Sequence, residues 1–185
     1  MKVWYALGGF KAMFEEFAPL DKVLEVIVDG KTVSLPPDLS GLMVINIPSY
    51  AGGADLWGKD DNSTQEDISF LPPSICDQML ELVGVTGSFH MGACTVNLSR
   101  AIRVAQGGNV SIYVKDKNPM PMQMDGEPWI QPTPFALHFK HKNTVNMLSN
   151  SSEAPSKESL PKVEENSFLG GVQQIIQFDF KNLFN

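Results

Sequence analysis

Cysteine is scarce in this chain, at two residues, Cys76 and Cys94. Two are too few for a disulfide framework and their separation is not a metal-ligand spacing, so the fold must rest on packing, and a reducing, intracellular compartment is expected. Long apolar runs are missing as well. None approaches the length that spans a bilayer, and Lys2, Gly8, Gly9 and Lys11 break up the apolar core that a signal peptide would need. The expectation is a soluble chain, at most peripheral to a membrane. Positive charge is in deficit too: 14 Lys+Arg stand against 21 Asp+Glu, a formal net charge of −7. A nucleic-acid binder that relies on a broad basic face is thereby disfavoured.

What is present is enough for one cored domain: 185 residues, 43% of them hydrophobic. Most of the chain reads as strand. Lys22 to Val28 is rich in β-branched residues, ends at Asp29-Gly30, and is followed by the alternating run Lys31 to Leu35, which predicts a hairpin with a two-residue turn stopped by Pro36-Pro37. Gly41 to Ile47 is nearly continuously apolar, as a strand covered on both faces would be, and Gln78 to Val85 reads as another strand. Between them, Tyr50-Ala51-Gly52-Gly53 to Gly58 lacks the Lys-Ser/Thr continuation of a phosphate-binding loop and reads as a tight loop stapled by Trp57. Asp55, Asp60, Asp61, Glu66 and Asp67 against Lys59 mark an acidic surface loop. One helix is expected from Ala93 to Gln106, with Leu98, Ala101, Ile102 and Ala105 at helical spacing, Arg100 and Arg103 on its solvated side, and Gly107-Gly108 as its stop. The whole predicts a mainly β, two-layer, largely antiparallel sandwich with one α-helix, in which Val26, Val44, Ile45, Leu82, Val83, Ile112 and Phe139 are largely buried.

The stretch Met122-Gln123-Met124-Asp125-Gly126-Glu127-Pro128-Trp129 sits between the alternating runs Asn109 to Lys115 and Phe135 to Phe139. Asp-Gly favours a tight turn because glycine takes positive φ without steric cost, and Pro128 stiffens the backbone beyond it. Glu127 is thus a carboxylate held on a rigid turn, the geometry that general-base chemistry asks for, although most such triplets are solvated hairpin turns.

Five stretches in order resemble the accessory domain of eukaryotic diacylglycerol kinases: Lys2 to Tyr5, Leu39 to Gly58, Leu80 to Gly92 (LELVGVTGSFHMG), Arg100 to Gly107 (RAIRVAQG) and Pro121 to Gln131 (PMQMDGEPWIQ). The resemblance covers residues 1–148, divides the chain there from a polar linker at 149–169 and a C-terminal tail at 170–185 that regains alternation, and leaves those last two unmatched. It implies a β-sandwich that closes on a separate catalytic domain, and a part in the ATP-dependent phosphorylation of diacylglycerol to phosphatidic acid at a membrane surface, in the cytoplasm. The resemblance further implies that ATP and Mg2+ are held mainly by that catalytic domain, whose Gly-Gly-Asp-Gly-Thr signature this chain lacks.

By the same resemblance Glu127 is the general base toward the lipid hydroxyl, and Asp125 assists it. Asp77 matches an acidic loop that holds magnesium in related bacterial lipid kinases, where Asp-Asp-Gly-Leu-Leu-Glu is typical and this chain has Cys76-Asp77-Gln78-Met79-Leu80-Glu81. His90 matches a position better explained as a packed, hydrogen-bonded histidine. The chain begins inside the family domain, so an upstream segment, an unpaired strand edge and no activity unaided are expected. The rival reading is a non-catalytic interaction module derived from such a kinase, favoured by Cys76 and Gln78.

Overall fold

The computed structural model describes residues 19–50, 53–58 and 70–148, and the backbone of 170–182. The aromatic run at Trp4-Tyr5, the acidic span 59–69 and the linker 149–169 lie outside the described residues. The Asp29-Gly30 turn forms as expected. A short helix, α1 (Leu20–Val23), leads into β1 (Leu24–Val28), which pairs antiparallel with β2 (Lys31–Val33). Asp29 at φ 49° and Gly30 at φ 78° are both left-handed, as a two-residue hairpin of this hand requires.

The remaining strands are β3 (Gly41–Ile45), β4 (Leu80–Val85), β5 (Ile102–Gly107), β6 (Asn109–Val114), β7 (Met120–Met124), β8 (Glu127–Gln131), β9 (Phe135–Leu148) and β10 (Gly170–Asn182), with α2 (Ser88–Thr95) between β4 and β5. Among the described residues they form a five-stranded sheet in the order β10-β9-β6-β1-β2, a three-stranded sheet β3-β4-β5, and the separate ribbon β7-β8. Every pairing is antiparallel.

The two larger sheets pack face to face. Val26 and Val28 of β1, Val110, Ile112 and Val114 of β6 and Phe135 and Leu137 of β9 meet Leu80 and Leu82 of β4 and Ala105 of β5 in one core. A second cluster covers the other face of the small sheet, where Val83 and Val85 meet Ala101, Leu56, Trp57 and Cys94. Strand β4 therefore lies between two apolar layers, and all six of its residues are buried. That is the sandwich expected from the alternation. Of the expected core residues, Val26, Leu82, Val83 and Ile112 are buried, while Val44, Ile45 and Phe139 are half-buried. Strand β3 ends at Ile45 and is an edge strand, so its apolar run is covered less than a central strand would be.

The expected helix from Ala93 to Gln106 is not there. The helix is α2, Ser88–Thr95, and Ile102–Gly107 is strand β5. Leu98, assigned to an apolar stripe, is 83% exposed. The cause is a bulge: the register steps from Leu82↔Ala105 to Val83↔Arg103, leaving Val104 as an extra residue. Val104 and Ala105 both pack toward the main core. Two successive inward residues destroy the period of two and leave spacings that imitate a helix.

Gly107-Gly108 is then not a helix stop but the corner at which the chain leaves the small sheet for the large one. A Cβ on Gly107 would lie 2.4 Å from both the Asp29 carboxylate and Val28. That carboxylate accepts the N–H of Gly108 at 3.2 Å and of Asn109 at 2.8 Å, which ties the β1-β2 turn to the corner.

Gly84 supplies a test of how tightly β4 is held. Its added Cβ would lie 2.2 Å from Leu39 Cδ1, and Leu39 is fully buried. Gly84→Ala is expected to lower unfolding free energy by roughly 1–3 kcal/mol through overpacking. Gly92→Ala, in α2 with nothing within 4 Å of the new methyl, is expected to gain roughly 0.5–1 kcal/mol from helix propensity. Urea unfolding of both variants checks the pair.

Candidate functional site

The ribbon β7-β8 rises from the large sheet between two strands that are themselves neighbours. Val114 at the end of β6 lies opposite Phe135 at the start of β9. Alternation alone makes these two strands the direct flanks of the Asp-Gly turn; the structure inserts a further hairpin between them. Its base is pinned on both sides. Asp116 Oδ1 accepts the N–H groups of Lys117 at 2.6 Å and Asn118 at 3.1 Å, and Thr133 Oγ1 donates to the Asn118 carbonyl at 3.0 Å.

At the tip, Asp125 at φ 50° and Gly126 at φ 89° make the two-residue turn. In such a hairpin the flanking pair, Met124 and Glu127, exchanges both backbone bonds, and bonded and non-bonded pairs alternate from there. Pro128 and Pro121 thus fall in the non-bonded pairs Gln123↔Pro128 and Pro121↔Ile130. An N–H at either place would point outward. Neither proline costs the ribbon a bond, and each removes a donor from an outer edge, so the ribbon does not invite a further strand. Asp125 and Glu127 stand exposed on this braced tip.

Asp77 is elsewhere, at the entry to β4. Its Oδ1 accepts the N–H of Met79 at 3.0 Å, and burial raises the carboxyl above its ordinary value. Gln78, where the related pattern has glycine, keeps a left-handed backbone at φ 66°, which a glycine would adopt at no steric cost. Cys76 Sγ lies 3.3 Å from Ser74 Oγ. Among the described residues no three His, Cys, Asp or Glu side chains converge into a cation site.

Sequence reasoning gave Glu81 no role of its own, yet it is the one buried charged side chain among the described residues, 1% exposed. Its Oε1 accepts the Gln106 amide at 3.0 Å. Gln106 in turn accepts the N–H of Leu71 at 2.9 Å and donates to its carbonyl at 3.2 Å, a carbonyl that Trp57 Nε1–H also reaches at 3.2 Å. Arg103, expected on a solvated helix face, instead crosses to the Gly-rich loop. Its Nε donates to the Trp57 carbonyl at 2.6 Å and its Nη2 to the Gly58 carbonyl at 2.9 Å, with the guanidinium 5.2 Å from the Trp57 ring centre. The loop is a stapled one, as its sequence suggested. His90 is the hydrogen-bonded histidine expected: Nδ1 accepts from Thr86 N–H at 3.1 Å, so Nε2 is the protonated nitrogen that donates to the Arg100 carbonyl at 2.8 Å. A signal for Glu81 was available in principle, since a lone carboxylate in an apolar strand demands a buried partner.

Burial raises the Glu81 carboxyl; the Gln106 bond lowers it less, and the neighbouring Asp77 charge raises it further. A raised carboxyl binds its proton more tightly in the folded state, so its contribution falls as pH climbs from the ordinary carboxylate value through the folded value, and the penalty is complete above that. Glu81→Gln keeps an acceptor for Gln106 and removes the titration. Its stability relative to the parent is expected to rise with pH across that window and then level off, measured by urea unfolding at a series of pH values. Asp77 titrates in both proteins, and its coupling to Glu81 is part of the difference that the series reads.

The diacylglycerol kinase accessory domain family matches residues 1–128, which takes in the turn and Glu127. Diacylglycerol kinase 1 of Arabidopsis thaliana is 39% identical over 155 residues, covering 83% of this chain and 20% of that protein. Diacylglycerol kinase eta of Drosophila sechellia is 38% identical over 147 residues, 79% of this chain and 7% of that one, and its Drosophila melanogaster counterpart is 37% identical over the same length. The chain thus spans a fifth or less of the length of these kinases. No solved structure gives a significant match. With a family match over more than half its length, and relatives of this identity across about four fifths of it, the chain belongs to the diacylglycerol kinase accessory domain family.

Proposed function

We propose that this chain serves as the accessory half of an ATP-dependent diacylglycerol kinase, which phosphorylates diacylglycerol to phosphatidic acid at a membrane surface, with Glu127 as the general base. The observation that carries this reading is the braced ribbon, which holds an exposed carboxylate within the family-matched region. The lipid hydroxyl approaches Glu127. As its oxygen bonds to the terminal phosphorus of ATP, Glu127 takes the proton and ADP leaves with the broken phosphoanhydride oxygen. Asp125, on the same turn, orients the hydroxyl or meets the metal-bound phosphate. The partner is the nucleotide-binding catalytic domain, which would bring ATP and Mg2+. The substrate comes from the membrane, and no described helix is long and apolar enough to cross it.

A base on a stiff turn samples few conformers, so much of the orienting entropy is spent in folding rather than at the reaction. Glu127→Gln keeps the shape and removes the acceptor. In a kinase reconstituted from this chain and a catalytic domain, kcat is expected to fall by roughly 10²–10⁴-fold, with KM for ATP and lipid little changed. Stability should move by no more than about 0.5 kcal/mol, since the position is an exposed turn. Near-normal turnover of the folded variant would reduce Glu127 to a turn residue.

A further inference from the structure

Glu127 has company on its face of the ribbon. Residues directly opposite in an antiparallel pair share a face, as do residues two apart along a strand. The register Met120↔Gln131, Met122↔Trp129, Met124↔Glu127 therefore sets three methionines, Trp129 and Gln131 in line with Glu127. Met120 and Met122 pack against the main core. Trp129 is half-buried and donates Nε1–H to Gln131 Oε1 at 3.2 Å, whereas Met124 is 53% exposed. An apolar track leaves the core and stops beside a carboxylate.

A water-soluble polyol would gain nothing from such a track, because its carbons carry hydroxyls that methionine cannot bond. An alcohol with hydrocarbon close to its hydroxyl matches both ends: the hydroxyl meets Glu127 and the hydrocarbon lies on Met124 and Trp129. Methionine suits this because it is unbranched and polarizable, and adapts to chains of no fixed shape. Building on the reading in the preceding subsection, we propose that Met124 and Trp129 seat the hydrocarbon adjoining the lipid hydroxyl, which makes Met124 a specificity-determining residue for an amphiphilic alcohol.

The seat is tested by binding, independently of turnover. The full chain is mixed with phosphatidylcholine vesicles with and without diacylglycerol, and its diacylglycerol-dependent partitioning is measured by co-sedimentation. Met124→Gln is expected to weaken that partitioning about tenfold, the equivalent of losing roughly half the transfer free energy of a methionine side chain. Met124→Leu restores it, and both variants keep the parent's unfolding midpoint because the side chain is exposed at a ribbon tip. Turnover of Glu127→Gln is read separately: if it is normal while Met124→Gln still loses partitioning, the base assignment falls and the seat stands. The proposal is overturned if the parent shows no diacylglycerol-dependent partitioning, if Met124→Gln partitions like the parent, or if it loses equally on vesicles without diacylglycerol.

Discussion

Burial of β4 on both faces is the constraint on which most of this structure depends. A strand with apolar layers on each side exposes no backbone or side chain to water, so every polar group on it needs an internal partner. Glu81 meets that demand through Gln106, and the bond extends to Leu71 and Trp57. Glycine at position 84 meets a different one, the close approach of Leu39. The bulge on β5 serves both layers: it keeps Val104 and Ala105 with the main core while Arg103, opposite Val83, clamps the loop at Trp57 and Gly58. The small sheet is thus a hub, and its outer loop is fixed to it by side chains rather than by strand pairing.

The large sheet plays a different part, that of a platform. The chain returns to it at Gly107-Gly108, where the Asp29 carboxylate holds two successive N–H groups. It then runs along β6, leaves for the ribbon, and returns in β9 directly beside where it left. A hairpin set between two paired strands inherits their rigidity at its base, and its own two-residue turn leaves little freedom at the tip. The prolines at 121 and 128 add protection where an isolated ribbon is most exposed, along its outer edges. Such an arrangement exposes a carboxylate at the tip of a ribbon whose base is pinned. That combination suits a group that must meet a lipid hydroxyl while another domain holds the nucleotide, which is the role proposed for Glu127. The exposed methionine opposite it has the same origin, since the register that frees the carboxylate at the tip frees Met124 with it.

Several features were determined by sequence alone, because their causes are local. The turns at Asp29-Gly30 and Asp125-Gly126 need only two residues that tolerate positive φ, and the runs on either side of Asp29-Gly30 display strand character in their own side chains, whereas β7 and β8 were hidden in what reads as one turn between β6 and β9. The family was legible too, since five stretches in a fixed order carry it. Tertiary structure decided the rest. Strand β5 was hidden because its bulge places two neighbouring residues inward, which no local pattern distinguishes from a helical stripe. The stop read at Gly107-Gly108 became a corner between sheets because Asp29, distant in sequence, closes on it. Glu81 and Arg103 took their roles from Gln106 and Trp57, partners 25 and 46 residues away, and only packing could bring those pairs together.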